Sequence, residues 1–129
     1  MYGNQDWFAA KGLETSTTLA GDFTISSDYF INYSDPEYIQ VNRMFSAQTS
    51  MDANRNVLYG YDTTEYVLDL LATTNNDTKK ISASLNSGRD VKGFHNNISF
   101  SLNHVNKYLN ILKYQSGIYQ LIQRYKPGK

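Results

Sequence analysis

The stretch from residue 56 to 74, NVLYGYDTTEYVLDLLATT, constrains the fold more than any other part of the 129-residue chain. Val57, Tyr61, Leu68 and Leu71 recur at helical spacing, and Val67 and Leu70 widen the stripe. That periodicity predicts a helix over residues 58 to 72 with this face turned to a core. Tyr59, Gly60, Tyr61 and Asp62 open it. Two uses of this opening fit the sequence: a tyrosine-rich helix start, or aromatic rings and Asp62 set at the mouth of a binding cleft. Asp62 can cap the helix or accept a hydrogen bond. Tyr61 lies on the apolar stripe and Tyr59 does not, which makes Tyr59 the better cleft candidate.

Around this helix the pattern predicts further elements. Phe23 and Ile25 alternate with Thr24 and Ser26, the reading for an exposed strand. Asp35 followed by Pro36 is a strong helix start, and Tyr38, Val41 and Phe45 then share a face. Asp77 caps a short amphipathic helix carrying Ile81 and Leu85, with Gly88 as its stop. Ile98, Phe100 and Leu102 alternate with polar residues as in a half-buried strand. KYLNILKY and IYQLIQRY read as two more strands, separated by the turn QSG. YGNQDWFAAKGL holds one or two helical turns before Gly12. The order strand, three helices, antiparallel strands places the chain in the α/β class.

Composition narrows the function. Twelve basic and twelve acidic side chains cancel, so no long-range field draws nucleic acid or an anionic membrane, and no nucleic-acid partner is expected. With no cysteine, disulfide frameworks, thiolate zinc sites and thiol nucleophiles are excluded. The first ten residues, MYGNQDWFAA, have neither the basic start nor the apolar run of a signal peptide. Eleven tyrosines suit cleft walls and wet interfaces as well as strand faces, because each ring carries a hydrogen-bonding tip.

Catalytic patterns are weak. His95 and His104 lie nine apart in strand and turn contexts, where a solvated or strand-face histidine is the expected reading and a metal ligand is not. There is no G-x-S-x-G elbow, phosphate-binding glycine loop or dinucleotide fingerprint. Acid pairs such as Asp28 with Asp35, or Asp62 with Glu65, are common by chance on solvated segments. The expectation is therefore a protein that is not an enzyme, with no metal and no cofactor. Asn32-Tyr33-Ser34, Asn76-Asp77-Thr78 and Asn97-Ile98-Ser99 fit the glycosylation triplet, as chance allows in so Asn- and Ser-rich a chain.

Taken in order, YGNQDW, LAGDFTISSDYF, YGYDTTEYVLDLL, ISASLNSGRDVKGFHNNISFS and NKYLNILKYQSGIYQLI resemble the C-terminal third of a type I periplasmic binding protein of the branched-chain amino acid receptor family. The resemblance implies a partial type I periplasmic-binding-protein fold, with three helices and a C-terminal antiparallel strand segment. Residues 1–28 would be the end of the second lobe and the crossover, 29–103 a portion of the first lobe, and 104–129 the closing strands. It further implies either a piece of a longer protein or a chain that completes its sheets by pairing with another copy, as a self-associated or swapped dimer.

The same resemblance implies a clamp that closes on a small polar ligand such as an amino acid. The family's acidic residue near the second-lobe glycine falls on Gln5 if the turn aligns without a gap from Gly3, and on Asp6 if it shifts by one. An amide at that place cannot supply the charge that meets an ammonium. Tyr59, Tyr61 and Asp62 would line the cleft from the first lobe, and Trp7 is either a cleft wall or a packed lobe residue. Two roles follow: the extracytoplasmic substrate-binding component of an amino acid transporter in the periplasm or cell envelope, or a structural and interaction module that keeps the fold without binding a metabolite.

Overall fold

The computed structural model describes residues 2–4, 23–100, 105–115 and 117–128. The chain divides into two compact units, residues 1–30 with 108–129, and residues 31–107.

The first unit is a four-stranded mixed sheet in the order β1 (Tyr2–Asn4), β2 (Phe23–Ser27), β3 (Leu109–Gln115), β4 (Ile118–Tyr125). β1 runs parallel to β2, whereas β2 with β3 and β3 with β4 are antiparallel. The alternation read in Phe23, Thr24 and Ile25 is real, but the strand is not the exposed one expected: β2 lies between β1 and β3, Phe23, Ile25 and Ser27 are buried, and their neighbours are half-buried. Register explains the core. Ile25 lies opposite Leu112 and Phe23 opposite Tyr114, whose other neighbour is Tyr119. The Phe23 and Tyr114 rings stack with centroids 4.7 Å apart, and Tyr114 meets Tyr119 at 4.8 Å. Such cross-strand aromatic pairs are the unit of sheet stabilisation. The turn between β3 and β4 places Gly117 at φ +84°, a left-handed conformation that favours glycine.

The second unit is helical. α1 (Pro36–Thr49) starts as expected, with the Asp35 carboxylate accepting from the Glu37 amide at 2.9 Å and Pro36 in the first turn. The connection that follows it is fastened back to its middle by Asn42, which accepts from the Ala53 amide at 2.7 Å and donates to Asp52 at 3.0 Å. α2 (Arg55–Thr74) is capped by Asn54, whose side chain accepts from the Val57 amide. α3 (Thr78–Asn86) is capped by Asp77, which accepts from the amides of Lys79 and Lys80.

Two expectations change here. α2 is longer than residues 58 to 72, and it is rotated. Its buried residues are Leu58, Asp62, Tyr66, Leu70 and Thr74. Tyr61, Val67 and Leu68, which the periodicity turns toward the core, are exposed. The hydrophobic stripe is genuine, but tertiary packing chose the opposite face, which shares only Leu70 with it and where Tyr66 and Leu70 meet Ile98, Ile81, Leu85, Val91 and Phe100. The second change concerns Ile98 and Phe100, which form no strand. Val91 and Ile98 make a single antiparallel bridge, with both backbone bonds formed at 2.8 and 2.9 Å. Side-chain amides replace the ladder around it: Asn106 Oδ1 accepts from the Ser99 amide and its Nδ2 donates to the Asn97 carbonyl. Leu102 lies outside the described residues, as does the helical turn expected before Gly12.

Tyr66 makes an edge contact with Phe100, yet its buried hydroxyl has no hydrogen-bond partner. Burial pushes this phenol above its ordinary value of 10.0, more than the nearby Arg89 guanidinium lowers it. A raised folded-state value stabilises the fold in full below the unfolded phenol range, and that contribution is lost as pH rises through the folded value. Tyr66→Phe is therefore expected to be neutral or stabilising by up to about 1 kcal/mol at pH 7. It should also lose less stability than the parent between pH 9 and about 11. Urea denaturation at the two pH values checks both; a loss above roughly 1 kcal/mol at pH 7 would mean that the hydroxyl is satisfied.

Candidate functional site

The N-terminal half of α2 and the turn at residues 93–96 form the most elaborate polar cluster described. At 100° per residue, Tyr59 and Tyr61 point about 200° apart around the helix, with Asp62 between them on the buried side. The turn straddles the helix at this point. Asp62 Oδ1 accepts from the Phe94 amide at 2.8 Å, and Oδ2 accepts from the His95 amide at 2.9 Å. The His95 imidazole also reaches Oδ2 through Nδ1. Phe94 then meets the Tyr61 ring at 5.4 Å on one side, and His95 packs on the Tyr59 ring at 4.0 Å on the other.

The carboxylate is thus enclosed by three donors, with 2 % of the Asp62 side chain and 6 % of the His95 side chain exposed. Burying a charge is tolerated only with such partners. Gly93 makes the enclosure possible. A Cβ there would collide with the Asn96 carbonyl oxygen and would stand 2.6 Å from Asp62 Oδ2. On the solvent side, Arg55 donates to the Tyr59 hydroxyl at 3.2 Å, with its guanidinium 5.4 Å from the centre of that ring. Partial burial raises the Tyr61 phenol, and the carboxylates of Glu65, Asp62 and Glu37 push it the same way.

Chemically this cluster positions rings. Asp62 holds the imidazole with Nδ1 as the donor, so a neutral His95 carries its proton there. Tyr59 presents a half-buried aromatic face beside a guanidinium, suited to stacking and hydrogen bonding. Of the residues singled out in the sequence, Tyr59, Tyr61 and Asp62 belong to this one cluster, the two tyrosines on opposite flanks. Gln5 and Asp6 lie outside the described residues, as do Trp7 and His104. His95 corrects an expectation: it is a buried partner of Asp62, and neither a solvated nor a strand-face histidine. Sequence periodicity missed it because the two residues lie 33 apart and meet across a turn. The only local signal was Gly93 two positions before it.

A separate concavity of about 500 Å³ is lined by Pro36, Ile39, Gln40, Arg43 and Met44 of α1. Among the described residues no group of three or more His, Cys, Asp or Glu stands close enough to hold a metal ion, and no described helix is long and apolar enough to cross a membrane.

Comparison with known proteins supplies the frame for these parts. No family model matches the chain, and no curated protein does. A solved structure, the leucine binding protein LivK from Thermotoga maritima, matches with a TM-score of 0.51 and 15% sequence identity. The chain is similar in fold to part of a leucine-binding protein. The match covers 89% of this chain and 34% of the LivK chain, so it spans about a third of that protein's length. At this identity the likeness concerns the fold: among the described residues, three helices and a mixed four-stranded sheet, an α/β arrangement consistent with a partial periplasmic-binding-protein-like architecture.

Proposed function

We propose that this chain is a non-catalytic ligand-binding module of the type I periplasmic-binding-protein kind, taking a small polar ligand such as an amino acid. The observation that carries the reading is the fold likeness to LivK, a leucine binding protein. In this reading residues 1–28 are the end of the second lobe and the crossover, residues 29–103 a portion of the first lobe, and residues 104–129 the closing strands. Tyr59 is the ligand-facing ring, kept in one orientation by His95 and Asp62. Tyr61 flanks the same turn, and of Gln5 and Asp6 only Asp6 carries the charge that a ligand's ammonium calls for. A parent protein at the cell envelope would hand the ligand to a membrane transporter.

A thermal-unfolding screen against the common amino acids and short peptides tests this, because a ligand that binds only the folded state raises the midpoint with its occupancy. At a free concentration of 100 Kd the gain is about 2.7 kcal/mol. A reproducible shift with one chemical class, lost in Tyr59→Ala, is the expected result. No shift from a protein that unfolds cooperatively would overturn it.

One observation favours a second reading. All three donors around Asp62 come from the chain itself, and the Tyr59 ring is already packed on His95. A cluster so committed to internal contacts suits a structural or interaction module, retained in a larger envelope protein without a metabolite. Self-association without any ligand-dependent shift would support that alternative.

A further inference from the structure

One face of α2 carries no charge over four turns. Val57, Gly60, Tyr61, Thr64, Val67, Leu68 and Leu71 recur at spacings of three and four, the geometry of a helix-pairing seam. Tyr61, Val67 and Leu68 are 37, 44 and 54 % exposed, although the opposite side of the same helix is packed into the unit's core. A surface helix normally presents charged or polar residues there. Gly60 adds a notch, since a Cβ built on it meets nothing within 4 Å.

We propose that this face binds a second copy of the chain, as an antiparallel pair of α2 helices whose two-fold axis passes at Thr64. The sequence of the seam is self-complementary about that residue, as an isologous contact requires. Val57 comes opposite Leu71, Tyr61 opposite Val67, and the bulky Leu68 opposite the Gly60 notch, each pairing occurring twice. Glu65 on the flank falls opposite Thr63, so the axis brings no like charges together. The seam is about 21 Å long at roughly 1.5 Å per residue and about one helix diameter wide. Two such faces cover roughly 400–500 Å², well below the about 1,000 Å² of specific interfaces, so the dimer is weak and depends on concentration. The inference uses α2 alone and does not rest on the ligand-binding reading.

Sedimentation equilibrium of the full chain across the micromolar range tests the proposal, with circular dichroism as the check on folding. The expected result is a reversible monomer–dimer equilibrium. Leu68→Lys and Gly60→Leu, both at exposed positions, should each raise the dissociation constant at least tenfold while leaving the helical signal intact. Because the chain has no cysteine, Thr64→Cys places two thiols across the axis, and mild oxidation should crosslink it much faster than Ser82→Cys on the exposed side of α3. A strict monomer at the highest concentration overturns the proposal. So does a dimer that is indifferent to Leu68→Lys and crosslinks no faster through Thr64→Cys than through Ser82→Cys, which would put the contact elsewhere, as in a strand-swapped pair.

Discussion

Asp62→Ala is expected to destabilise the helical unit by about 3–5 kcal/mol, because the lost carboxylate accepts three buried hydrogen bonds, each bond to a charged group being worth about 1.5–3 kcal/mol and the losses not adding in full. The substitution leaves the amides of Phe94 and His95 without their acceptor and the His95 ring without its anchor. It also opens a cavity at a site where almost no side-chain surface reaches solvent. Against a typical domain stability of about 5–15 kcal/mol, that is a large share. Asp62→Asn should recover less than half of the loss, because its amide nitrogen turns a donor toward donors. Urea denaturation followed by far-ultraviolet circular dichroism measures both variants. A cost below about 1 kcal/mol for the alanine variant would show that water replaces the carboxylate, and that the turn at 93–96 is not held by it. His95→Ala, made alone and with Asp62→Ala, should give a coupling energy above roughly 0.5 kcal/mol if the two side chains act as one unit.

Gly93→Ala ranks second, with an expected cost of about 2–3 kcal/mol from overpacking. The sign is decided by contact and not by backbone freedom. Gly93 is not among the glycines with positive φ, and at an unstrained site a Gly→Ala change usually stabilises by about 0.4–1 kcal/mol. Here the added methyl meets a backbone carbonyl and the very carboxylate that the turn encloses. Gly60→Ala provides the contrast. It lies within a helix with open space around it, so it should gain about 0.5–1 kcal/mol from helix propensity. The two glycine variants should therefore shift the unfolding midpoint in opposite directions. In an Asp62→Ala background the cost of Gly93→Ala should shrink, since one of its two collisions is gone, while the clash with Asn96 remains. Equal costs in both backgrounds would mean that the methyl displaces the turn without touching Asp62.

Much of the local structure was written in short-range chemistry. Asp35 with Pro36 and Asp77 mark helix starts because a carboxylate one residue ahead of a helix satisfies free amides wherever the rest of the chain goes. The pairing of β3 with β4 was readable from two alternating runs around a glycine turn. Less legible was the face that α2 buries. It carries apolar residues on two opposite sides, and which side packs depends on Ile98, Val91 and the α3 residues Ile81 and Leu85, all beyond the end of the helix that they cover. The expected strand at Ile98 failed for a related reason. Alternation reports which side is wet, but a ladder also needs a neighbouring strand, and among the described residues only Val91 pairs there.

The candidate site divides along the same line. Tyr59, Tyr61 and Asp62 could be singled out from one stretch of sequence, because an aromatic, glycine and acid cluster at the start of a helix is unusual as local chemistry. That Asp62 is buried, that His95 is its partner, and that the tyrosines stand on opposite flanks of a turn became visible only when residues 33 apart met. By itself the sequence determined the α/β class, the three helices with two of their caps, and the closing strands, since these depend on periodicity and on hydrogen bonds within a few residues. Tertiary structure alone decided which face of α2 is core, which face stays exposed, and what encloses the Asp62 charge. Burial and electrostatic pairing depend on distance in space, and distance along the chain does not encode it.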